Sequence, residues 1–187
     1  LTENNVMTNV ADIASYFDID NVDSILIARP LYHCAVLTGE FLTALVKGTR
    51  IRFYSGSFNP AILLKIIKEF HITAFCGTPT LLSLMARFKR KTDTDVLKHI
   101  CISGECMSAE TGLFIAAAFP TADIYHIYGL TEACPRVAYL PPNEFKENAD
   151  CVGVPLRSVS LKIISAEGTP ADTNEIGVLW VKGDSIM

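Results

Sequence analysis

One pentapeptide in the second half of the chain combines side chains that suit nucleotide chemistry. Residues 128–132 read Tyr-Gly-Leu-Thr-Glu and directly follow an apolar run. The glycine would let the backbone approach a ligand closely, while an aromatic ring, a hydroxyl and a carboxylate would cluster at the edge of a sheet. That combination suits a nucleotide and its metal. An ordinary strand-to-turn segment with a surface carboxylate explains the same five residues equally well.

Three other segments follow apolar runs in the same way. Residues 30–33 read Pro-Leu-Tyr-His, residues 75–79 read Phe-Cys-Gly-Thr-Pro, and residues 103–106 read Ser-Gly-Glu-Cys. The imidazole of His33 could hydrogen-bond to a carboxylate or a phosphate near neutral pH, although a lone histidine is more often structural. Thr78 followed by proline is also explained as a helix start, and residues 103–106 are also explained as a plain turn from a strand to a helix.

The stretches around these motifs alternate between strand and helix patterns. Short apolar runs predict buried strands at 24–28, 49–54, 72–76, 99–103 and 123–128. Apolar residues at helical spacing predict helices over 1–19, 36–46, 61–70, a segment through 81–85, and 108–119, with N-caps at Thr2, Asn59, Thr78 and Ser108. The alternation predicts an α/β fold with a mostly parallel sheet covered by helices, and it places ligands beyond the carboxyl ends of the strands.

The sequence pattern changes after the double proline at 141–142, where the alternation of strands and helices ends. Residues 159–164 and 176–182 are strand-like and are joined by a turn region rich in Gly, Pro and Asp. We therefore expect an α/β subdomain over 1–149 that binds nucleotide and acyl group, and the start of a small β-barrel-like subdomain over 150–187. The charged stretch 89–95 is expected to be a solvated connection.

Composition narrows the class of partner. Half of the 187 residues are apolar, 19% are charged and the net charge is -4, which favours a packed globular chain without the basic stripe that nucleic-acid binding requires. No apolar run approaches the roughly 20 residues of a membrane span. The six cysteines show no C-x-x-C spacing, which argues against a metal site or a disulfide framework, and reduced thiols suit the cytoplasm.

In chain order, the segments 30–33, 103–106, 128–132 and 177–187 resemble the motifs of the adenylate-forming superfamily, which includes acyl-CoA synthetases, luciferases and peptide-synthetase adenylation domains. The resemblance covers essentially the whole chain. It implies that Thr131 contacts a phosphate of ATP, Glu132 holds Mg²⁺ and Tyr128 lies against the adenine.

The same resemblance assigns roles to the other motifs. The nucleotide would be held by residues of two strand ends, Gly104, Glu105, Cys106, Tyr128, Gly129 and Thr131. Cys106 stands where the family usually has proline, which loosens the turn but leaves backbone contacts available. The acid would lie among His33, Gly77, Thr78, Gly129 and Leu130, with His33 beside the reacting carboxylate and Gly77 leaving room for substrate.

The reaction implied is attack of a carboxylate on the α-phosphate of ATP, which gives an acyl-adenylate and pyrophosphate, followed by transfer to a thiol such as that of CoA. Pro-Leu-Tyr-His and Tyr-Gly-Leu-Thr-Glu resemble the acyl-CoA synthetase branch. A peptide-synthetase adenylation module and a non-catalytic α/β binding module remain as alternatives. Phe75 and Leu130 are weak indications of an apolar acid among fatty and aryl acids.

Several motifs of the family have no match in the chain. The glycine-rich phosphate loop would precede Leu1, because residues 1–4 resemble the segment that follows that loop. The ribose-binding aspartate, the hinge and the C-terminal lysine would follow Met187. Since phosphate-binding groups of this kind contribute about a hundred-fold or more in rate, the 187 residues alone are expected to be inactive.

Overall fold

Side-chain caps fix where four of the helices begin. The computed structural model describes residues 1–90 and 95–187. Helix α1 (Glu3–Tyr16) starts with a capping box between Thr2 and Asn5. The other three capped helices are α4 (Pro60–Glu69), α5 (Pro79–Phe88) and α6 (Ala109–Ala118), which follow Asn59, Thr78 and Ser108. All four predicted caps are confirmed, because each side chain accepts a hydrogen bond from the first turn.

Seven strands form one sheet in the order β2-β1-β3-β4-β5-β6-β7. The parallel strands are β1 (Ser24–Ile27), β2 (Arg50–Phe53), β3 (Ala74–Gly77), β4 (His99–Ser103) and β5 (Asp123–Gly129). Two antiparallel strands complete the edge, β6 (Arg136–Leu140) and β7 (Val154–Pro155). The mostly parallel sheet predicted from the alternation is therefore confirmed. Strand β3 begins two residues later than predicted.

Alternate residues of the strands point to opposite faces of the sheet, and each face has its own core. Leu26, Phe75 and Ile100 pack with side chains of α4, α5 and α6, among them Leu63, Leu82 and Ile115. Ile25, Ala74 and Tyr125 pack on the other face against α1, through Ile13, and against Phe17 beyond it. Helix α1 ends at Tyr16 instead of residue 19, because Phe17 and Ile19 leave the helix and fill this second core.

The helix predicted over 36–46 is built in three parts. Helix α2 (Cys34–Val36) leads into a π-helical segment (Leu37–Leu42), and helix α3 (Thr43–Lys47) ends at Gly48 with φ of 69°. The hydroxyl of Thr43 donates to the carbonyl of Thr38 over 2.9 Å, which stabilises the widened turn. Glu40 lies in this turn and is completely buried. π-Turns of this kind are frequent at functional sites.

The last two strands form a separate antiparallel sheet, β8 (Val159–Ile164) and β9 (Val178–Gly183). Strand β9 begins two residues later than predicted. The side chain of Asn5 donates to the carbonyls of Asp184 and Ile186, which attaches this part of the chain to α1. Strand β7 belongs to the large sheet, and the subdomain boundary near residue 150 stays a prediction.

The predicted solvated connection over 89–95 is described only at its two ends. Lys89 forms an ion pair with Asp95 and donates to the carbonyl of Ala118 over 2.7 Å. The residues between Arg90 and Asp95 lie outside the described residues. Among the residues that the structure describes, no helix combines the length and the apolar character that crossing a bilayer requires.

Candidate functional site

A cleft of about 440 Å³ opens at the carboxyl ends of β1, β3, β4 and β5. Strand β2 lies on one side of β1 and β3 lies on the other, so the chain connections diverge at this point of the sheet. Ligands of open α/β sheets bind at such a switch point, beyond the carboxyl ends of the strands. The fold therefore places the cleft where the strand and helix alternation predicts a ligand.

The cleft brings together six of the eleven predicted site residues: His33, Thr78, Gly104, Gly129, Leu130 and Thr131. They come from loops far apart in sequence, after β1, β3, β4 and β5. The other five predicted site residues lie outside this lining: Gly77, Glu105, Cys106, Tyr128 and Glu132. The roles that the resemblance gives to all eleven stay predictions.

The end of β5 requires a glycine because another loop passes directly over it. A Cβ atom on Gly129 would lie 2.0 Å from the carbonyl oxygen of Pro135. That same carbonyl accepts a hydrogen bond of 2.7 Å from the backbone N–H of Leu130. A 3₁₀ turn (Thr131–Ala133) follows, and Cys134 in the left-handed region closes the loop before a cis Cys134–Pro135 bond. The loop consequently presents Thr131 at the mouth of the cleft.

Helix α1 holds this loop through one buried amide. The side chain of Asn9 donates to the carbonyls of Ala133 and Arg136, over 3.3 and 2.8 Å, and accepts from the N–H of Arg136 over 3.3 Å. Asn9 is completely buried. Because a buried amide satisfies three backbone contacts on both sides of the turn, α1 fixes the position of Thr131 without touching the cleft.

The loop after β4 is fixed to the start of α5. Gly104 has a φ of +95°, a conformation that favours glycine. The carboxylate of Glu105 accepts from the hydroxyl and the N–H of Thr80, over 2.7 and 3.2 Å. The hydrogen bond that the Thr80 hydroxyl donates is the main reason why the pKa of Glu105 is lowered. The carboxylate of Glu105 therefore braces two loops of the site.

Three other predicted residues have clear structural surroundings. His33 is exposed, precedes α2 and lies with its ring centroid 4.6 Å from that of Tyr32. The ring of Tyr128 packs against the small core that also contains Ala133 and Val137. A side chain added to Gly77 would meet Leu81 and Leu82 at 3.3 and 3.1 Å, so helix packing already explains the glycine.

Glu132 suits a magnesium ion that arrives with its phosphates. Its carboxylate is exposed and adjacent to Thr131, while its backbone carbonyl accepts from the N–H of Met187 over 2.9 Å. Within the described ranges 1–90 and 95–187, no group of three or more His, Cys, Asp or Glu side chains could form a metal cage. Mg²⁺ is usually held by one or two protein carboxylates together with substrate phosphates, and a single exposed glutamate fits that mode.

Two arginines that the sequence motifs do not identify as site residues also line the cleft, Arg29 and Arg136. The Nη2 atom of Arg29 lies 2.6 Å from Oε1 of the buried Glu40. Arg136 is buried and donates to the hydroxyl of Tyr16 over 2.6 Å and to the carbonyl of Gly39 over 2.9 Å. A useful signal in the sequence is Glu40 itself, since a carboxylate within an apolar helical stretch needs a buried cation as partner.

Burial shifts the pKa values of Glu40 and Tyr16, which contact these two arginines. The pKa of Glu40 is raised, because desolvation outweighs the attraction of Arg29. The pKa of the Tyr16 hydroxyl is raised mainly by burial, so the phenol next to Arg136 stays neutral. Among the residues that the structure shows lining the cleft, cationic and neutral side chains occur and carboxylates do not. The cleft is therefore suited to anionic ligands.

Comparisons with known proteins agree with this geometry. A family model described as AMP-binding enzyme matches residues 1–187. A long-chain-fatty-acid–CoA ligase of Haemophilus influenzae is 31% identical, over 100% of this chain and 34% of that protein. A feruloyl-CoA synthase of an Amycolatopsis species is 26% identical, over 100% of this chain and 38% of that protein. The chain thus spans about a third of the length of these curated relatives.

A solved structure shows the same fold. The o-succinylbenzoate CoA synthetase of Bacillus subtilis, in complex with ATP and a magnesium ion, superposes with a TM-score of 0.86 at 23% identity. The match covers 100% of this chain and 38% of that protein. The expected fold is thereby confirmed as that of the large N-terminal domain of adenylate-forming enzymes. The match over all 187 residues shows that the chain belongs to the AMP-binding enzyme family.

Proposed function

We propose that this chain is part of an ATP-dependent ligase that activates a carboxylic acid as its acyl-adenylate and transfers the acyl group to CoA. The observation that carries the proposal is the cleft at the carboxyl ends of four parallel strands, where Thr131, His33 and two arginines converge. A cationic cleft suits both anionic reactants, the carboxylate and the phosphates of ATP. Membership of the AMP-binding enzyme family supports the same reaction.

In this proposal the residues act mainly by position and charge. The hydroxyl of Thr131 hydrogen-bonds to the α-phosphate, and the small Gly129 lets the backbone of β5 come close to it. His33 lies beside the attacking carboxylate at the opposite side of the cleft. When bound at Glu132, Mg²⁺ supplies charge neutralisation on the phosphates. Such preorganised contacts favour the crowded transition state over the separate anions.

The nucleotide base is proposed to lie between the ends of β4 and β5. Gly104 and the backbone of residues 104–106 border one side, and the ring of Tyr128 borders the other. Glu105 contributes by holding its loop against Thr80, as the two hydrogen bonds indicate. The exposed Cys106 stands at the position where the family usually has proline.

CoA is proposed as the acceptor because the curated relatives reported above are named as CoA ligases or CoA synthases. A carrier protein, as in peptide synthetases, is the alternative acceptor. The described cysteines are all free thiols, which suits the cytoplasm, where ATP and CoA are available. We propose that compartment for the enzyme.

The proposal is tested by acid-dependent exchange of pyrophosphate into ATP, followed by thioester formation with CoA. The complete enzyme is used, since the chain matches about a third of its relatives, and we propose that the 187 residues alone do not sustain exchange. Exchange that requires both an acid and Mg²⁺, with AMP released when CoA is added, supports the ligase. No exchange with any fatty, aryl or short acid would overturn it. Exchange without CoA-dependent release of AMP would favour the carrier-protein alternative.

A further inference from the structure

The residues that line the cleft include two arginines, Arg29 and Arg136, beside apolar residues; the two arginines and Glu40 are called the inner wall below. Arg29 follows β1 directly, and its side chain is 18% exposed while its partner Glu40 is fully buried. Arg136 begins β6 and lies against the opposite part of the same cleft. Arg29 and Arg136 line the same cleft as Gly129 and Thr131, so an acid bound there lies near both positive charges.

The charges of this wall do not balance. Arg29 and Arg136 carry two positive charges, and Glu40 carries the single carboxylate that interacts with both. Tyr16, Gly39 and Cys101 supply neutral acceptors to Arg136. A buried excess of positive charge is costly unless an anion approaches it. None of the described residues that line the cleft carries a carboxylate.

Hydrogen-bonding capacity is also left over. A guanidinium has five N–H donors, and the buried Nε of Arg29 has no hydrogen-bond partner among the described residues. The second oxygen of Glu40, Oε2, is likewise buried without a partner. Most buried polar atoms in native structures are satisfied, and these two orphans belong to one ion pair, so neither marks a vacant ligand position by itself. The Arg29 side chain is, however, 18% exposed where it lines the cleft. A carboxylate is the acceptor that matches a guanidinium best.

Contacts within the fold hold the arginines of this wall in position. A Cβ atom on Gly39 would lie 2.9 Å from Nε of Arg136, so the glycine makes room for the guanidinium. The ring of Tyr16, which accepts from Arg136, stacks on Tyr139 with centroids 3.8 Å apart. The π-helical turn places Glu40 against Arg29. Three elements therefore cooperate to keep two cations at the inner end.

The positions of Phe75 and Leu130 do not by themselves argue for an apolar acid. Phe75 is fully buried in the core beneath α4, α5 and α6, away from the cleft lining. Leu130 does line the cleft, but it is 43% exposed. A long alkyl chain packed against Arg29 would desolvate the exposed part of its guanidinium without offering it an acceptor, which is unfavourable.

We propose that the acid activated in this cleft is a short dicarboxylic acid, whose second carboxylate binds Arg29 at the inner wall while its first carboxylate reacts. Glu40 is then a positioning residue that holds the guanidinium in place. Arg136 adds positive potential from the other side. This inference rests on the proposed ligase function and specifies its substrate class.

The test compares acids of equal length that differ only in the second carboxylate. Exchange of pyrophosphate into ATP by the complete enzyme is measured with succinate against butyrate, glutarate against pentanoate, and adipate against hexanoate. We expect kcat/KM for the preferred diacid to exceed that of its monoacid by about tenfold to a hundredfold, the range of one charge-assisted hydrogen bond. Equal or better rates with every monoacid would overturn the inference and leave the ligase function standing. Absence of exchange with all acids, long-chain and aryl acids included, would overturn both.

A paired substitution identifies the residue responsible. The double variant Arg29→Met, Glu40→Met removes both charges together, because a lone buried Glu40 would be strongly destabilising. We expect the diacid preference to fall about tenfold or more and the KM for ATP to stay unchanged. An unchanged preference, or a change confined to ATP, would overturn the role of Arg29. Arg157→Met, at an exposed arginine that is not among the residues lining the cleft, serves as the matched control.

A milder variant covers the case in which the double variant does not fold. Arg29→Lys keeps the charge and loses the planar fork of donors. We expect it to keep the fold, with an unfolding midpoint near that of the native chain, and to lose part of the diacid preference. A preference equal to that of the native enzyme in this variant would contradict recognition by the guanidinium.

Discussion

Replacing Asn9 with alanine should unfold the chain more easily and loosen the loop that carries Thr131. The substitution removes three hydrogen bonds that join α1 to the carbonyls of Ala133 and Arg136 and to the N–H of Arg136. A hydrogen bond contributes about 1 kcal/mol, and a stranded buried group costs about 1–3 kcal/mol, so we expect a loss of about 3 kcal/mol in the free energy of unfolding.

That loss is large for a domain of this size. Domains are stable by about 5–15 kcal/mol, and about 3 kcal/mol lowers the unfolding midpoint of a chain of this length by about 6–12 °C. The assay is thermal and urea unfolding of the 187-residue chain, followed by far-ultraviolet circular dichroism. The single tryptophan, Trp180, is 63% exposed on β9, so its fluorescence is a poor probe.

A second asparagine of the same helix provides the control. Asn4 is exposed in the first turn of α1. Asn4→Ala should leave stability unchanged or raise it by a few tenths of a kcal/mol, because alanine is the better helix former. A loss below about 1 kcal/mol for Asn9→Ala, or equal effects of the two substitutions, would refute the reasoning that a buried amide fixes this loop.

Two further substitutions test other parts of the site. Gly129→Ala forces a Cβ atom to within 2.0 Å of the carbonyl oxygen of Pro135; we expect a loss of about 3 kcal/mol or failure to fold, and unchanged urea unfolding would contradict the close approach. Glu105→Gln tests the bond from Thr80, which lowers the folded pKa of Glu105 below its ordinary value of 4.5. A carboxylate whose pKa is lowered by folding stabilises the folded state at pH values above its ordinary pKa. That stabilisation is lost as the pH falls through the folded pKa. The native chain should therefore exceed the variant in unfolding midpoint at neutral pH, and the difference should shrink in acid; a constant difference would contradict the assignment.

Much of the scaffold is predictable from the sequence because its signals are local. Thr2, Asn59, Thr78 and Ser108 cap helices by bonding to their own first turns, so residue type and spacing are sufficient. The alternation of apolar strands with helices likewise predicts the parallel sheet and the edge at which the cleft lies.

Two departures involve contacts between side chains that are not neighbours in the sequence. The π-helical turn at Leu37–Leu42 depends on where Glu40 meets Arg29, and helical spacing alone predicts a regular helix. Arg136 looks like an ordinary strand residue in the sequence, yet it is buried against Tyr16, 120 positions away. Periodicity and motifs describe neighbours along the chain, whereas ion pairs of this kind are set by tertiary packing.

The motif residues were the most informative part of the sequence for locating the site and the least informative for its specificity. Gly104, Gly129 and Thr131 line one cleft, as the strand-end rule predicts. Gly77 faces Leu82 of helix α5, which the sequence does not distinguish from a glycine that makes room for substrate. Glu105 binds Thr80, a contact between the loop after β4 and the start of α5 that only the folded structure reveals.

The proposed activation of a carboxylate in the cleft at the ends of β1, β3, β4 and β5 requires Thr131 to contact the α-phosphate. The most direct measurement is acid-dependent exchange of pyrophosphate into ATP by the complete enzyme carrying Thr131→Val. Thr121→Val, at an exposed threonine before β5 at the opposite edge of the sheet, is the matched control. We predict a loss of about a hundredfold in kcat for Thr131→Val, typical of one contact made in the transition state, with the control unchanged. Equal exchange rates for the two variants would contradict it.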